Sequence, residues 1–192
     1  MTVPETRNSK MSTIKIAGVQ MDIQLADRDA NLAAMKTRLQ QTVEHGAQLT
    51  VFPECTTTGY CFESLDEALR VAESIDGPTS AVVGQWCEEL STQVIYGFLE
   101  SDQGTLFNSL ALIGPTGVLA SYRKVHLPTL GVDRFTTSGA GFSVVDTGTL
   151  RIGMNICYGC SFPESARVMT LQGADLIALP SALLPIFCQV TE

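Results

Sequence analysis

Three segments of the chain place a reactive side chain where an apolar run gives out. In Thr50-Val51-Phe52-Pro53-Glu54-Cys55 a carboxylate follows directly on an apolar stretch and a proline. In Ser121-Tyr122-Arg123-Lys124-Val125-His126 two cations and a histidine lead into a stretch rich in Gly, Pro and Thr. In the third, Cys157 ends the run Ile152-Gly153-Met154-Asn155-Ile156, and Pro163 marks a helix start a few residues on. Strand ends are where α/β folds build their sites. Each segment also has a plain reading: a solvated loop glutamate, cations guarding an edge strand, and a small buried thiol. Together they supply a nucleophile, a carboxylate to take its proton and a cation to hold developing charge, which is what thiolate attack on an amide carbonyl requires. At a strand-to-helix turn, backbone N–H groups and the helix dipole are expected to lower the Cys157 pKa, and the same N–H groups could hold an oxyanion. Of the two histidines, His45 lies near a predicted helix end with no evident role, and His126 could form a dyad with Cys157 that Lys124 makes unnecessary.

The elements that must position these groups follow from periodicity. Residues 14–20 and 49–52 read as buried strands, and 29–44 as a helix with Leu32, Ala33, Met35, Leu39 and Val43 on one face and Gly46 at its end. Residues 65–72 and 80–90 read as helices separated by Gly77-Pro78. Residues 93–100, 106–113 and 118–123 are strands broken by Asp102-Gln103-Gly104 and Gly114-Pro115-Thr116-Gly117, the pattern of antiparallel hairpins. A long loop spans 124–141. Strands follow at 142–145 and 150–156, a short helix at 163–172 and a strand at 175–179. The order β-α-β-α-α, a β meander, then β-α-β makes a mixed α/β chain. It reads as a loose polar tail over 1–12 and one domain over 13–192.

Composition narrows the function. The chain has 192 residues, 45% of them hydrophobic, enough to bury a core. A net charge of −8 makes nucleic acid a poor partner, because that affinity rests on neutralising phosphates. The most apolar run, 176–188, is too short for a membrane span and holds Pro180 and Pro185. The polar start lacks a signal-peptide core, so the cytoplasm is the expected compartment, and six cysteines are too few for a disulfide scaffold there.

These segments resemble the nitrilase superfamily, the carbon–nitrogen hydrolases. The resemblance rests on Val51-Phe52-Pro53-Glu54 with Thr58-Gly59-Tyr60, on Tyr122-Arg123-Lys124-Val125-His126-Leu127, and on Ile156-Cys157-Tyr158 with Phe162-Pro163-Glu164 and Arg167. Gly173-Ala174-Asp175 before an apolar strand and Pro180 fits as well. The resemblance covers about residues 14 to 180. It implies an α-β-β-α sandwich and a triad of Glu54 as general base, Lys124 as the stabilising cation and Cys157 as nucleophile. The Tyr158 amide would join Lys124 at the oxyanion, with Tyr60 lining the substrate site. The implied reaction is hydrolysis of a non-peptide C–N bond in a small amide or carbamoyl compound through a thioester, with no metal or organic cofactor. Dimers or higher homo-oligomers form through the sandwich's outer helices in this family.

The chain departs from the pattern at four points. Gly159 stands where the family often has Asp. The loop after Lys124 lacks the family's second glutamate, and Asp133 is its nearest carboxylate, a candidate for substrate positioning. The residues after Pro180 are apolar where a polar, substrate-facing turn is expected. Family members usually run well past this length, so the C-terminal part of the sandwich is expected to be missing and the short form unstable or weakly active. Two rival readings remain. Cys157-Tyr158-Gly159-Cys160 is a C-x-x-C, as in thiol–disulfide redox proteins. The chain could also be a non-catalytic partner of a hydrolase subunit. Zinc binding lacks a second close pair, since Cys55 and Cys61 do not form one.

Overall fold

The computed structural model describes residues 13–182. The N-terminal segment read as a tail and most of the apolar stretch after Pro180 lie outside them. Among the described residues no helix is long and apolar enough to cross a membrane.

The elements run β1 (Ile16–Gly18), α1 (Arg28–Glu44), β2 (Leu49–Val51), α2 (Leu65–Val71), α3 (Pro78–Leu90), β3 (Gln93–Asp102), β4 (Thr105–Gly114), β5 (Gly117–Arg123), β6 (Val144–Asp146), β7 (Arg151–Met154), α4 (Pro163–Leu171) and β8 (Leu176–Ala178). Short 3-10 turns occupy Gly131–Arg134 and Cys157–Ser161. Local chemistry fixes the ends of several elements. Asp27 caps α1 by accepting from the Ala30 N–H, Ser64 caps α2 by accepting from Glu67, and Pro78 opens α3.

Two sheets stack face to face. The first has the order β1-β2-β3-β4-β5, parallel from β1 to β3 and antiparallel beyond; the second has the order β6-β7-β8. The period of two sorts the central strands. Val94, Tyr96 and Phe98 of β3 and Ala111 and Ile113 of β4 face Met35 and Leu39 of α1 and Val83, Trp86 and Cys87 of α3. Ile95, Leu110 and Leu112 face the other way, onto Ile152, Met154 and Ala178 of the second sheet. With both faces covered, β3 and β4 are buried almost throughout. Met169 of α4 lies over Gly153 of β7 and closes the second sheet. The result is the α-β-β-α sandwich.

One expectation needs correcting. The strand over 14–20 is not a buried one: among the described residues β1 is three residues long, has β2 as its only sheet neighbour and leaves Ile16 38% exposed. Its β-branched composition reflects strand propensity, and its edge position removes half the cover that a central strand has.

Candidate active site

The three segments converge at one end of the sandwich. Gln93 and its successors in β3 pair with β2, so the chain leaving β2 at Val51 crosses Gly97. There Gly97 N–H donates to the Pro53 carbonyl at 3.1 Å. A Cβ at position 97 would lie 2.4 Å from the Cys55 nitrogen and 2.7 Å from the Glu54 Cα. Only a residue without a side chain lets the turn carrying Glu54 sit this close. Cys55 takes a positive φ of 49°, which turns the backbone sharply after Glu54.

Lys124 follows the last residue of β5, and its backbone N–H donates to the Asn108 carbonyl of β4 at 2.8 Å. Its side chain is fully buried, as is that of Glu54. Lys124 Nζ donates to Glu54 Oε1 at 2.7 Å and to Asp133 Oδ2 at 2.6 Å. Asn108 Nδ2 donates to both carboxylates, to Glu54 Oε1 at 2.8 Å and Asp133 Oδ1 at 2.9 Å. Tyr60 OH donates to Asp133 Oδ2 at 2.9 Å. The backbone N–H of Ala182 donates to Glu54 Oε2 at 2.9 Å. Burial alone would drive the lysine toward its neutral form, but the two carboxylates outweigh it and hold its pKa above the usual value. Burial, with Asp133 and Glu54 close by, pushes the Tyr60 hydroxyl far above the ordinary phenol value.

Cys157 opens a 3-10 turn with a φ of 41°, a conformation a β-carbon disfavours. Its N–H donates to the Pro180 carbonyl at 2.9 Å, so β8 and β7 together fix the turn. The thiol lies close enough to Glu54, Lys124 and Ser181 for all three to act on its titration. Its pKa is raised, contrary to the expectation from the sequence. Burial is the larger cause and the charge of Glu54 the next, and Lys124 and Ser181 offset only part of this. The helix that was to lower it begins at Pro163, beyond the 3-10 turn, so its N-terminus does not bear on the sulfur.

Glu54, Lys124, Cys157, Tyr60 and Asp133 therefore come together as the sequence suggests. Asp133, however, has both oxygens held by Lys124, Tyr60 and Asn108, so it braces the lysine rather than facing a substrate. Tyr158 follows Cys157, but its ring is 40% exposed and stands edge-on to Phe162. His126 stacks on Phe162, with ring centroids 3.7 Å apart, instead of pairing with Cys157. Cys160 is an exposed free thiol. Asn108, which holds both carboxylates, is the residue of the cluster that the sequence alone does not point to. Its signal was a lone amide in a strand otherwise filled with buried residues, where a polar side chain must find partners. A cleft of about 720 Å³ reaches Glu54, Tyr60 and Ser181, with Val19, Met21 and Ile23 on one wall. Among the described residues no group of three or more His, Cys, Asp or Glu is arranged to hold a metal ion.

A cysteine beside a buried glutamate and lysine, at the strand ends of an α-β-β-α sandwich, is the arrangement that the resemblance implies. Sequence comparison shows the family: the carbon-nitrogen hydrolase profile matches residues 15–185, and the chain belongs to that family. It is 36% identical over 172 residues to a nitrilase of Pyrococcus abyssi, covering 89% of this chain and 66% of the nitrilase. It is 30% identical over 182 residues to an omega-amidase of Homo sapiens, covering 90% of this chain and 64% of that protein. Among solved structures, a carbon-nitrogen hydrolase from Helicobacter pylori G27 superposes with a TM-score of 0.77 at 22% identity, over 88% of this chain and 60% of the other. The chain thus spans about two thirds of the length of the relatives it matches.

Proposed function

We propose that the chain hydrolyses the C–N bond of a small amide or carbamoyl compound through a Cys157 thioester. The observation that carries this reading is the fully buried pair of Glu54 and Lys124, 2.7 Å apart, with the half-buried Cys157 thiol near enough to feel both charges. With its pKa raised, Cys157 rests as a thiol and needs a base in contact, and Glu54 is that base. Glu54 takes the thiol proton as sulfur attacks the carbonyl carbon, giving a tetrahedral oxyanion. An ammonium has three donors, of which Glu54 and Asp133 engage two, and the third stabilises the oxyanion together with the Tyr158 N–H. The intermediate collapses by breaking the C–N bond, and Glu54 returns the proton to the leaving ammonia or amine. Glu54 then deprotonates a water that attacks the thioester. The acid leaves, and the proton returns to sulfur. The relatives' names, nitrilase and omega-amidase, support a small C–N substrate rather than a peptide.

Ammonia release from a panel of small amides and carbamoyl compounds tests the reading. Glu54→Gln keeps the side-chain shape and removes the base, so turnover should fall by about 10²–10⁴, the usual contribution of such a base, with the fold intact. A folded Glu54→Gln protein with near-full turnover would remove the triad from the mechanism.

A further inference from the structure

The proposed chemistry depends on two loops that share no strand pairing, the one after β5 that carries Lys124 and the turn after β7 that carries Cys157. Asn155 lies between them, 2% exposed. Its Oδ1 accepts from the Ile156 N–H at 2.9 Å and from Tyr122 OH at 3.2 Å. The backbone N–H can only donate, which fixes the oxygen on that side and turns Nδ2 toward Ser165 Oγ, 3.0 Å away. Ser165 Oγ in turn donates to the Gly159 carbonyl at 3.1 Å. On the other side, Tyr122 OH accepts from the Val125 N–H at 3.3 Å, at the residue directly after Lys124. A continuous hydrogen-bonded path therefore joins the residue after Lys124 to the residue before Cys157. The path also explains Gly159, because a Cβ there would lie 2.0 Å from Asn155 Oδ1. The amide fills the space that any larger residue at position 159 would need.

We infer that Asn155 is a positioning residue that sets the Cys157 turn relative to the Lys124 loop through Tyr122, and that Gly159 is the residue that makes room for it. This rests on the hydrolase reading, since it concerns the alignment of that proposed site. The expected consequence follows from geometry: a catalytic group displaced by about 1 Å can cost on the order of 100-fold in rate.

The test uses 4-nitrophenyl acetate as an acyl donor, with the nitrophenolate burst reporting formation of the C–S bond and loss of the C–O bond. Iodoacetamide mapping of Cys157 provides a second measurement. Asn155→Ala should slow acylation by roughly 10–100-fold while half-saturation moves by no more than about threefold, the signature of lost alignment rather than lost binding. The pH dependence of Cys157 alkylation should also move down, toward the ordinary thiol value, as the turn loosens from Glu54. Tyr122→Phe keeps the Asn155–Ile156 hydrogen bond, cuts only the link to Asn155 from the Lys124 side, and guards against an Asn155 variant that fails to fold. It should lower the acylation rate in the same direction, and the double variant should be no worse than Asn155→Ala alone, because both cut one path. Additive losses, or an Asn155→Ala protein that acylates like the wild type, would overturn the inference. A wild-type chain whose Cys157 does not acylate at all would instead remove the hydrolase reading on which it rests.

Discussion

Lys124 and Glu54 form an ion pair that is fully buried on both sides, with 2.7 Å between Nζ and Oε1. Such a pair contributes little net stability when whole, because desolvation of both charges offsets their attraction, but it is costly to break. Here the cost is compounded by Asp133, which shares the same ammonium at 2.6 Å. Lys124→Ala would leave two buried carboxylates with only neutral donors, the Asn108 amide, the Tyr60 hydroxyl and the Ala182 N–H.

Lys124→Ala is therefore expected to destabilise the fold by about 3–5 kcal/mol, read from urea unfolding. Arg28 offers the comparison. It also pairs with a glutamate, Glu73, but is 42% exposed. Glu73 is only 9% exposed, so Arg28→Ala should also destabilise, but by less than Lys124→Ala, because one carboxylate rather than two loses its cation. Equal losses at the two sites would mean that the buried cluster does not depend on its cation.

The raised Cys157 pKa has a directional consequence for pH. Only the thiolate reacts with iodoacetamide, and a raised pKa postpones it, so Cys157 alkylation should still be climbing at pH 9.0, the ordinary midpoint for cysteine. Glu54→Gln removes one of the causes of the raised value. It should speed alkylation near pH 8 while lowering amide turnover. These opposite signs separate loss of a base from general disruption, which would lower both. Peptide mapping of labelled Cys157 across pH reads the first, and ammonia release the second.

Cys160 is expected to be dispensable. Its side chain is exposed at the end of the 3-10 turn and takes no part in the cluster around Glu54. Cys160→Ser should leave hydrolysis within about twofold of the parent, as surface changes away from special features usually do. Loss of hydrolysis in that variant, accompanied by dithiol–disulfide turnover in the parent, would favour a redox pair instead.

How much of this was legible in the sequence follows from the range of each interaction. Glu54, Lys124 and Cys157 each stand where a strand gives out, a local feature. Taken singly, Glu54 and Lys124 also read as a loop carboxylate and an edge-strand cation; the three in order, with the family resemblance, single them out. The meander from β3 to β5 is equally local, written in its two turn sequences. Asn108 reads as one more strand residue until the register of β4 against β5, with Ser109 opposite Arg123, sets it beside Lys124. Asp133 could be nominated as the nearest carboxylate in its loop, but whether it faces substrate or lysine depends on Tyr60 and Asn108, 73 and 25 residues away in sequence. The Ala182 N–H on Glu54 carries no side-chain signal at all. The direction of the Cys157 shift was misjudged for a related reason. A strand-to-helix turn was visible, but the 3-10 turn that delays the helix and the burial of the sulfur were not.

Gly97 gives the most specific structural prediction. It carries no reactive group, yet the turn bearing Glu54 rests against it, and the contacts a new Cβ would meet belong to backbone. They are the Cys55 nitrogen at 2.4 Å, the Glu54 Cα at 2.7 Å and the Pro53 carbonyl oxygen at 2.7 Å. A flexible side chain could swing aside, but these atoms move only if the turn moves. Thr57 adds to the constraint, since its N–H donates to the Gly97 carbonyl on the other side of the turn. Gly97→Ala should therefore cost about 1–3 kcal/mol, as overpacking usually does. It should also reduce turnover by more than that loss implies, because Glu54 is pushed away from Lys124 and Cys157. Gly18 in β1 is the matched comparison for stability: nothing lies within 4 Å of a Cβ built there. Gly18→Ala should be neutral or slightly stabilising in the same urea titration. Turnover would be measured well below the unfolding transition of Gly97→Ala, so that unfolded protein does not contribute. A Gly97→Ala protein as stable as Gly18→Ala, or one that turns over amides at the parent rate, would show that the Glu54 turn does not depend on this close approach.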